Sequence, residues 1–62
     1  MDKKIFHVET KTDFLFFETD DKKSIIEYCN KNRLKINAIT QFDQTKYEDL
    51  LFVGFITEAI RV

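Results

Sequence analysis

Asp49-Leu50-Leu51-Phe52-Val53-Gly54-Phe55-Ile56-Thr57 is the stretch on which the architecture turns. From Leu50 to Ile56 only Gly54 interrupts a run of large apolar side chains, several of them aromatic or β-branched. Read as a strand, the run is apolar on both faces, as a covered central strand is. Read as a helix, it has a start signal. Thr45-Lys46-Tyr47-Glu48 has capping-box spacing, and Tyr47, Leu50, Leu51 and Gly54 then share one helical face. Such a helix would also carry Phe52, Val53, Phe55 and Ile56, and would be apolar nearly all round. A small domain cannot bury that much, so the strand is the preferred reading. Thr57–Val62 then extends it, returns as an edge strand or forms a helical tail.

Working back from that segment, Lys35–Phe42 alternates with strand period, which sets Ile36, Ala38, Thr40 and Phe42 on one side and Asn37, Ile39 and Gln41 on the other. Before it lies a helix. Asp20 or Asp21 can accept from the first free amides, and Ile25, Ile26 and Cys29 fall on one face. Asn30-Lys31-Asn32-Arg33 ends the helix, with an Asn able to take a left-handed cap, so the helix is placed at about Lys22 to Asn32. Leu34 is expected to tuck its end against the sheet. Two strands precede the helix. Lys3–Glu9 sets Phe6 and Val8 opposite Ile5 and His7, and Asp13–Thr19 holds Phe14-Leu15-Phe16-Phe17, apolar on both faces. Thr10-Lys11-Thr12 between them allows a tight hairpin.

The expected fold is therefore α+β, a small antiparallel sheet with one helix packed on one face. Its order is ββαββ, the C-terminal segment being strand or helix. Residues 1–62 form a single small domain, and no linker or repeat divides them. One helix covers one face of such a sheet, yet the strands are apolar on both. The richer set, with Phe6, Val8, Phe14, Phe16, Ile36, Ala38, Phe42, Leu51, Val53 and Phe55, is assigned to the helix side. The other includes Ile5, His7, Leu15, Phe17, Ile39 and Phe52. Left uncovered, a contiguous apolar patch marks an interface, so Ile5, Leu15, Phe17, Ile39 and Phe52 are the candidate partner-interface residues. A one-residue slip on any strand would swap its faces.

Composition narrows the function classes. Ten Lys and Arg against eleven Asp and Glu leave a net charge of -1, unlike a strongly basic nucleic-acid binder or an acidic mimic of one. With 44% hydrophobic residues, one Gly and no Pro, the chain folds rather than staying disordered or low in complexity. A single Cys rules out a disulfide framework, and one Cys with one His cannot supply a structural zinc site. A chain this short buries only about 60% of its unfolded surface, so dense packing by its seven Phe or association must stabilise it. The start, Met1-Asp2-Lys3-Lys4, lacks the apolar run of a secretory leader, and the seven-residue Leu50–Ile56 run is far too short to span a bilayer. A cytoplasmic protein without membrane contact is expected, with Cys29 a free thiol.

No catalytic, metal-binding or cofactor-binding residue is assigned, and no cofactor is implied. His7 is the only histidine, but no sequence motif gives it a catalytic partner, and half-burial in a strand accounts for it. Cys29 lies on the apolar helix face and lacks a CxxC partner. Glu18, Asp20 and Asp21 cluster before the helix without the spacing and Gly of an EF-hand, so capping and solvation explain them. Lys31, Arg33 and Lys35 form the main basic cluster and could contact phosphates. The reading that follows is a small non-catalytic protein-binding module whose partner is another protein or itself, a homodimer included. Its size and its wealth of Lys, Ile, Asn and Phe suit a phage or mobile-element inhibitor or regulator of a larger host protein. The alternative is a small nucleic-acid-binding protein using Lys31, Arg33 and Lys35.

Overall fold

The hairpin that starts the fold is built from β1 (Lys4–Thr10) and β2 (Phe14–Thr19), seen in a computed structural model that describes residues 3–62. Met1 and Asp2, on which the expectation of no secretory leader rests, lie outside the described residues. The turn contains no glycine and is held by Thr10. Its amide donates to the Asp13 carbonyl at 2.8 Å, and its hydroxyl accepts from the Asp13 amide at 2.9 Å. Thr10 is buried while doing so, which satisfies a polar group that would otherwise cost stability. This closure pairs Glu9 with Phe14, Val8 with Leu15, His7 with Phe16 and Phe6 with Phe17.

That register corrects the expected faces. Even-numbered residues of β1 share a face with odd-numbered residues of β2. Phe6, Val8, Leu15 and Phe17 therefore point to one side, and Ile5, His7, Phe14 and Phe16 to the other. Because β2 is apolar at four successive positions, its sequence fits either parity equally well. Only the even number of residues between Glu9 and Phe14 decides.

The helix α1 (Lys22–Lys31) packs on the first of these sides, and the core is Phe6, Val8, Phe17, Ile25 and Cys29. Asp21 caps it by accepting from the Lys23 amide at 2.9 Å. At the other end Leu34 donates to the Cys29 carbonyl at 2.7 Å and Arg33 to the Asn30 carbonyl at 3.2 Å. This is a Schellman cap, and Leu34 folds back onto the core as expected. The left-handed residue is Arg33, with φ 58°, rather than an Asn.

From there the chain crosses to the far edge, giving the strand order β3-β1-β2-β4, with β3 at Ile36–Phe42 antiparallel to β1. A bulge corrects its alternation. Thr10 pairs with Ile36 but Glu9 with Ala38, so Asn37 is an extra residue. Ile36 and Ile39 consequently both pack against the α1 core instead of pointing to opposite faces.

The segment after β3 is helical. The helix α2 (Gln44–Phe52) replaces the expected strand, starting at Asp43, whose carboxylate accepts from the Lys46 amide at 3.0 Å. The objection to a helix was its excess of apolar surface. The fold meets it by ending the helix inside the apolar run and leaving several of those side chains in solvent. Gly54, with φ 75°, donates to Leu51 O at 3.0 Å, and Phe55 donates to Leu50 O at 2.9 Å. This second Schellman cap stops the helix at Phe52. The chain then returns as β4 (Ile60–Arg61), two residues parallel to β2. The sheet is thus mixed, and a second helix joins the first, while the α+β class and the packing of α1 on the sheet agree with the sequence reading.

Tyr47 anchors α2 to the face away from α1. Its ring lies 5.9 Å from that of Phe16, and its hydroxyl accepts from the Ala59 amide at 2.7 Å. Glu18 and Arg61 pair at 3.2 Å where β4 joins β2.

The two caps give opposite predictions. A Cβ at Gly54 would meet nothing within 4 Å, so Gly54→Ala tests backbone strain alone. It should lower stability by about 1 kcal/mol. Arg33→Gly relieves the same strain and should raise stability by about 0.5–1 kcal/mol. Urea unfolding of both variants reads the two shifts, and equal signs would show that the caps do not control the helix ends.

Candidate functional site

The sheet face opposite α1 carries an aromatic array. The ring of His7 stacks on Phe14 at 5.3 Å and 13°, and lies 5.1 Å from Phe16 and 6.4 Å from Phe42. Phe16 and Phe42 meet edge to face at 5.1 Å. Strand pairing explains the grouping, since His7 sits opposite Phe16 on one side and Thr40 on the other. Such pairs contribute about 0.5–1.5 kcal/mol each beyond area burial. His7 is therefore a half-buried member of an aromatic cluster.

The helix α2 covers only part of this face. Ile5 is 1% exposed and Tyr47 6%, but Phe14 at the turn end is 67% exposed. The connection from α2 to β4 adds more apolar surface beside it. Phe55 and Ile56 line a groove with Phe14 and Phe16. Phe52 is 92% exposed, Phe55 81% and Val53 66%. Burying a Phe side chain is worth about 1.5–3 kcal/mol, so at these exposures Phe14, Phe52 and Phe55 together forgo roughly 4–7 kcal/mol. That is of the order of a small domain's entire stability. The accessible surface is 4895 Å² for 7.5 kDa, against about 4,200 Å² from size scaling, so the excess is visible in the total as well.

The five interface residues read from the sequence do not share one surface. Phe17 is fully buried under α1, and Leu15 and Ile39 are half-buried on the same α1 side. Ile5 is buried on the opposite face, and only Phe52 stands free in solvent. Phe14, Val53 and Phe55, expected under the helix, instead accompany Phe52 in solvent, as does Ile26 on α1. The sequence held one signal for Phe52, Val53 and Phe55. Gly54 inside an apolar run is a helix stop, which breaks the run between two elements that cannot share one buried face.

The remaining candidates have structural roles. Cys29 is fully buried, and burial pushes its thiol above the usual value, which disfavours the reactive thiolate. Asp21 caps α1 and Glu18 pairs with Arg61. Among the described residues no group of three or more His, Cys, Asp or Glu converges as metal ligands would. Lys31, Arg33 and Lys35 are exposed where α1 ends. Arg33 and Lys35 border a groove floored by Ile36 and Ile39 on the α1 side of the sheet. The aromatic array occupies the other face, so stacking rings and cations do not form one surface of the kind single-stranded nucleic acids use. No helix of the described residues is long and apolar enough to cross a membrane.

No protein-family model matches the chain, and neither a curated protein nor a solved structure does.

The burial of Cys29 predicts slow chemistry. At pH 8 a disulfide reagent should label it at least about 100-fold more slowly in the native protein than in urea, because only opening exposes the thiol. Equal rates would place the thiol at the surface.

Proposed function

We propose that the chain is a non-catalytic protein-binding module that docks on a larger protein through Phe14, Phe52, Val53 and Phe55. The observation that carries this reading is the exposure of Phe52 and Phe55 in a chain too small to leave such burial unused. Aromatic side chains are apt anchors for a partner's pocket, since they supply large area at low entropy cost. The helix cap at Gly54 holds Phe52 and Phe55 on either side of it. Binding of this kind acts by occupying a partner's surface, which suits an inhibitor or regulator.

The structure changes which substitution tests the reading. Phe17→Glu would place a charge in the α1 core and should cost more than about 4 kcal/mol, unfolding the chain. The double variant Phe52→Glu/Phe55→Glu alters only exposed positions. It should keep the native far-UV spectrum and melting temperature while losing both partner capture and the native protein's binding of an apolar-surface dye. A folded double variant that captures the same partner as the natural chain would overturn the proposal.

A further inference from the structure

Among the described residues the outer edge of β3 is unpaired, since β3 is terminal in the order β3-β1-β2-β4. Seven residues, Ile36-Asn37-Ala38-Ile39-Thr40-Gln41-Phe42, present that edge, and none is charged. Charged residues make up 34% of the chain, so a stretch of this length would carry about two on average. Sheet edges open to solvent are ordinarily blunted by Lys, Pro, a very short strand or a bulge. The other edge is handled that way, with β4 only two residues long and one of them Arg61. On β3 the one such device is the bulge at Asn37, near its start, which leaves Ala38–Phe42 in regular register with β1.

Charge reappears immediately outside the strand. Lys35 precedes it and Asp43 follows it, and both are exposed. We infer that the β3 edge pairs with the β3 edge of a second copy of this chain, antiparallel about a two-fold axis, joining the two sheets into one. An antiparallel pairing of identical strands sets the Lys35 end of each copy beside the Asp43 end of the other. A parallel pairing would set like charges together. The ends are thus self-complementary, as an isologous two-fold interface requires.

A second feature runs along the same edge. The helix α1 packs over β2, so the α1 side of β3 is only partly covered. Ile26, Leu34, Ile36 and Ile39 line a groove there together with Asn30, Arg33 and Lys35, and Ile26 is 43% exposed. A two-fold axis normal to the sheet keeps α1 of both copies on the same side. It brings the two grooves together across the new strand pair, adding apolar burial to the backbone hydrogen bonds. This surface is separate from the aromatic one that carries the proposed function, so either can fail alone.

The full chain should sediment as a dimer at high micromolar concentration and dissociate on dilution. Thr40 is exposed near the middle of the edge, where a two-fold axis brings both copies together. Thr40→Lys should therefore leave a folded monomer, while Thr40→Val stays dimeric. Lys35→Glu should weaken the dimer about tenfold at low salt, by setting two carboxylates at each end. Amide exchange along Ala38–Phe42 should slow as the wild-type concentration rises, which reads the edge without any substitution. A wild-type chain that stays monomeric up to millimolar concentration would overturn the inference. So would a dimer that survives Thr40→Lys but is lost in Phe52→Glu/Phe55→Glu, which would make the aromatic surface the self-contact. A monomer whose β3 amides are protected only by an added extended peptide would reassign the edge to a foreign strand.

Discussion

The pairing of Phe6 with Phe17 across the first hairpin decides which of the chain's apolar side chains α1 can bury. Both rings sit under α1 with Val8, Ile25 and Cys29, and Tyr28 closes on Phe17 edge to face at 5.3 Å. Everything on the opposite face follows from that choice. His7, Phe14 and Phe16 are sent away from α1 and must be covered by another element or left in solvent. A shift of one residue would invert the two sets, and the turn at Thr10 prevents it through hydrogen bonds that a different loop length would break.

What covers the second face is α2, and its extent is set by its ends rather than its composition. Asp43 starts it and the left-handed Gly54 stops it, so the helix is nine residues long and reaches across the aromatic array only as far as Tyr47 can anchor it. Beyond Gly54 the chain must travel to the β2 edge to form β4, and it carries Phe55 and Ile56 past Phe14 on the way. The exposed aromatic surface is thus a consequence of stopping a helix within an apolar run. A chain under selection for stability alone would place polar residues there, because three exposed Phe rings forgo burial of the order of the fold's net stability.

Two unsatisfied features remain after folding, and they differ in kind. The aromatic surface offers side-chain burial to a pocket. The β3 edge offers backbone hydrogen bonds and a neighbouring groove, with opposite charges at its two ends. A dimer formed through β3 leaves Phe52 and Phe55 free, so a two-fold assembly would present two copies of the aromatic surface and bind a repeated or bivalent partner with higher avidity. The basic cluster at Arg33 and Lys35 lies on the α1 side of the sheet, apart from the rings.

From its residues alone the chain determined the α+β class, α1 with an aspartate cap at Asp20 or Asp21 and an apolar face of which Ile25 and Cys29, but not Ile26, are buried, and the presence of strands within Lys3–Glu9, Asp13–Thr19 and Lys35–Phe42. Those elements have clear period and clear punctuation, which local physics reads directly. It also revealed that more apolar surface exists than one helix can cover. Tertiary structure alone decided where that surface lies. The parity of β2 was illegible because Phe14-Leu15-Phe16-Phe17 is apolar on both faces. The bulge at Asn37 was illegible because an extra residue leaves no mark in the alternation of β3 until β1 is laid beside it. The segment from Thr45 onward was open to either reading because the Leu50–Ile56 run suits a strand and the Thr45–Glu48 spacing suits a helix start, although the cap that forms lies at Asp43. Tyr47, packed on Phe16 and bonded to Ala59, could settle it only once the sheet existed to receive its ring.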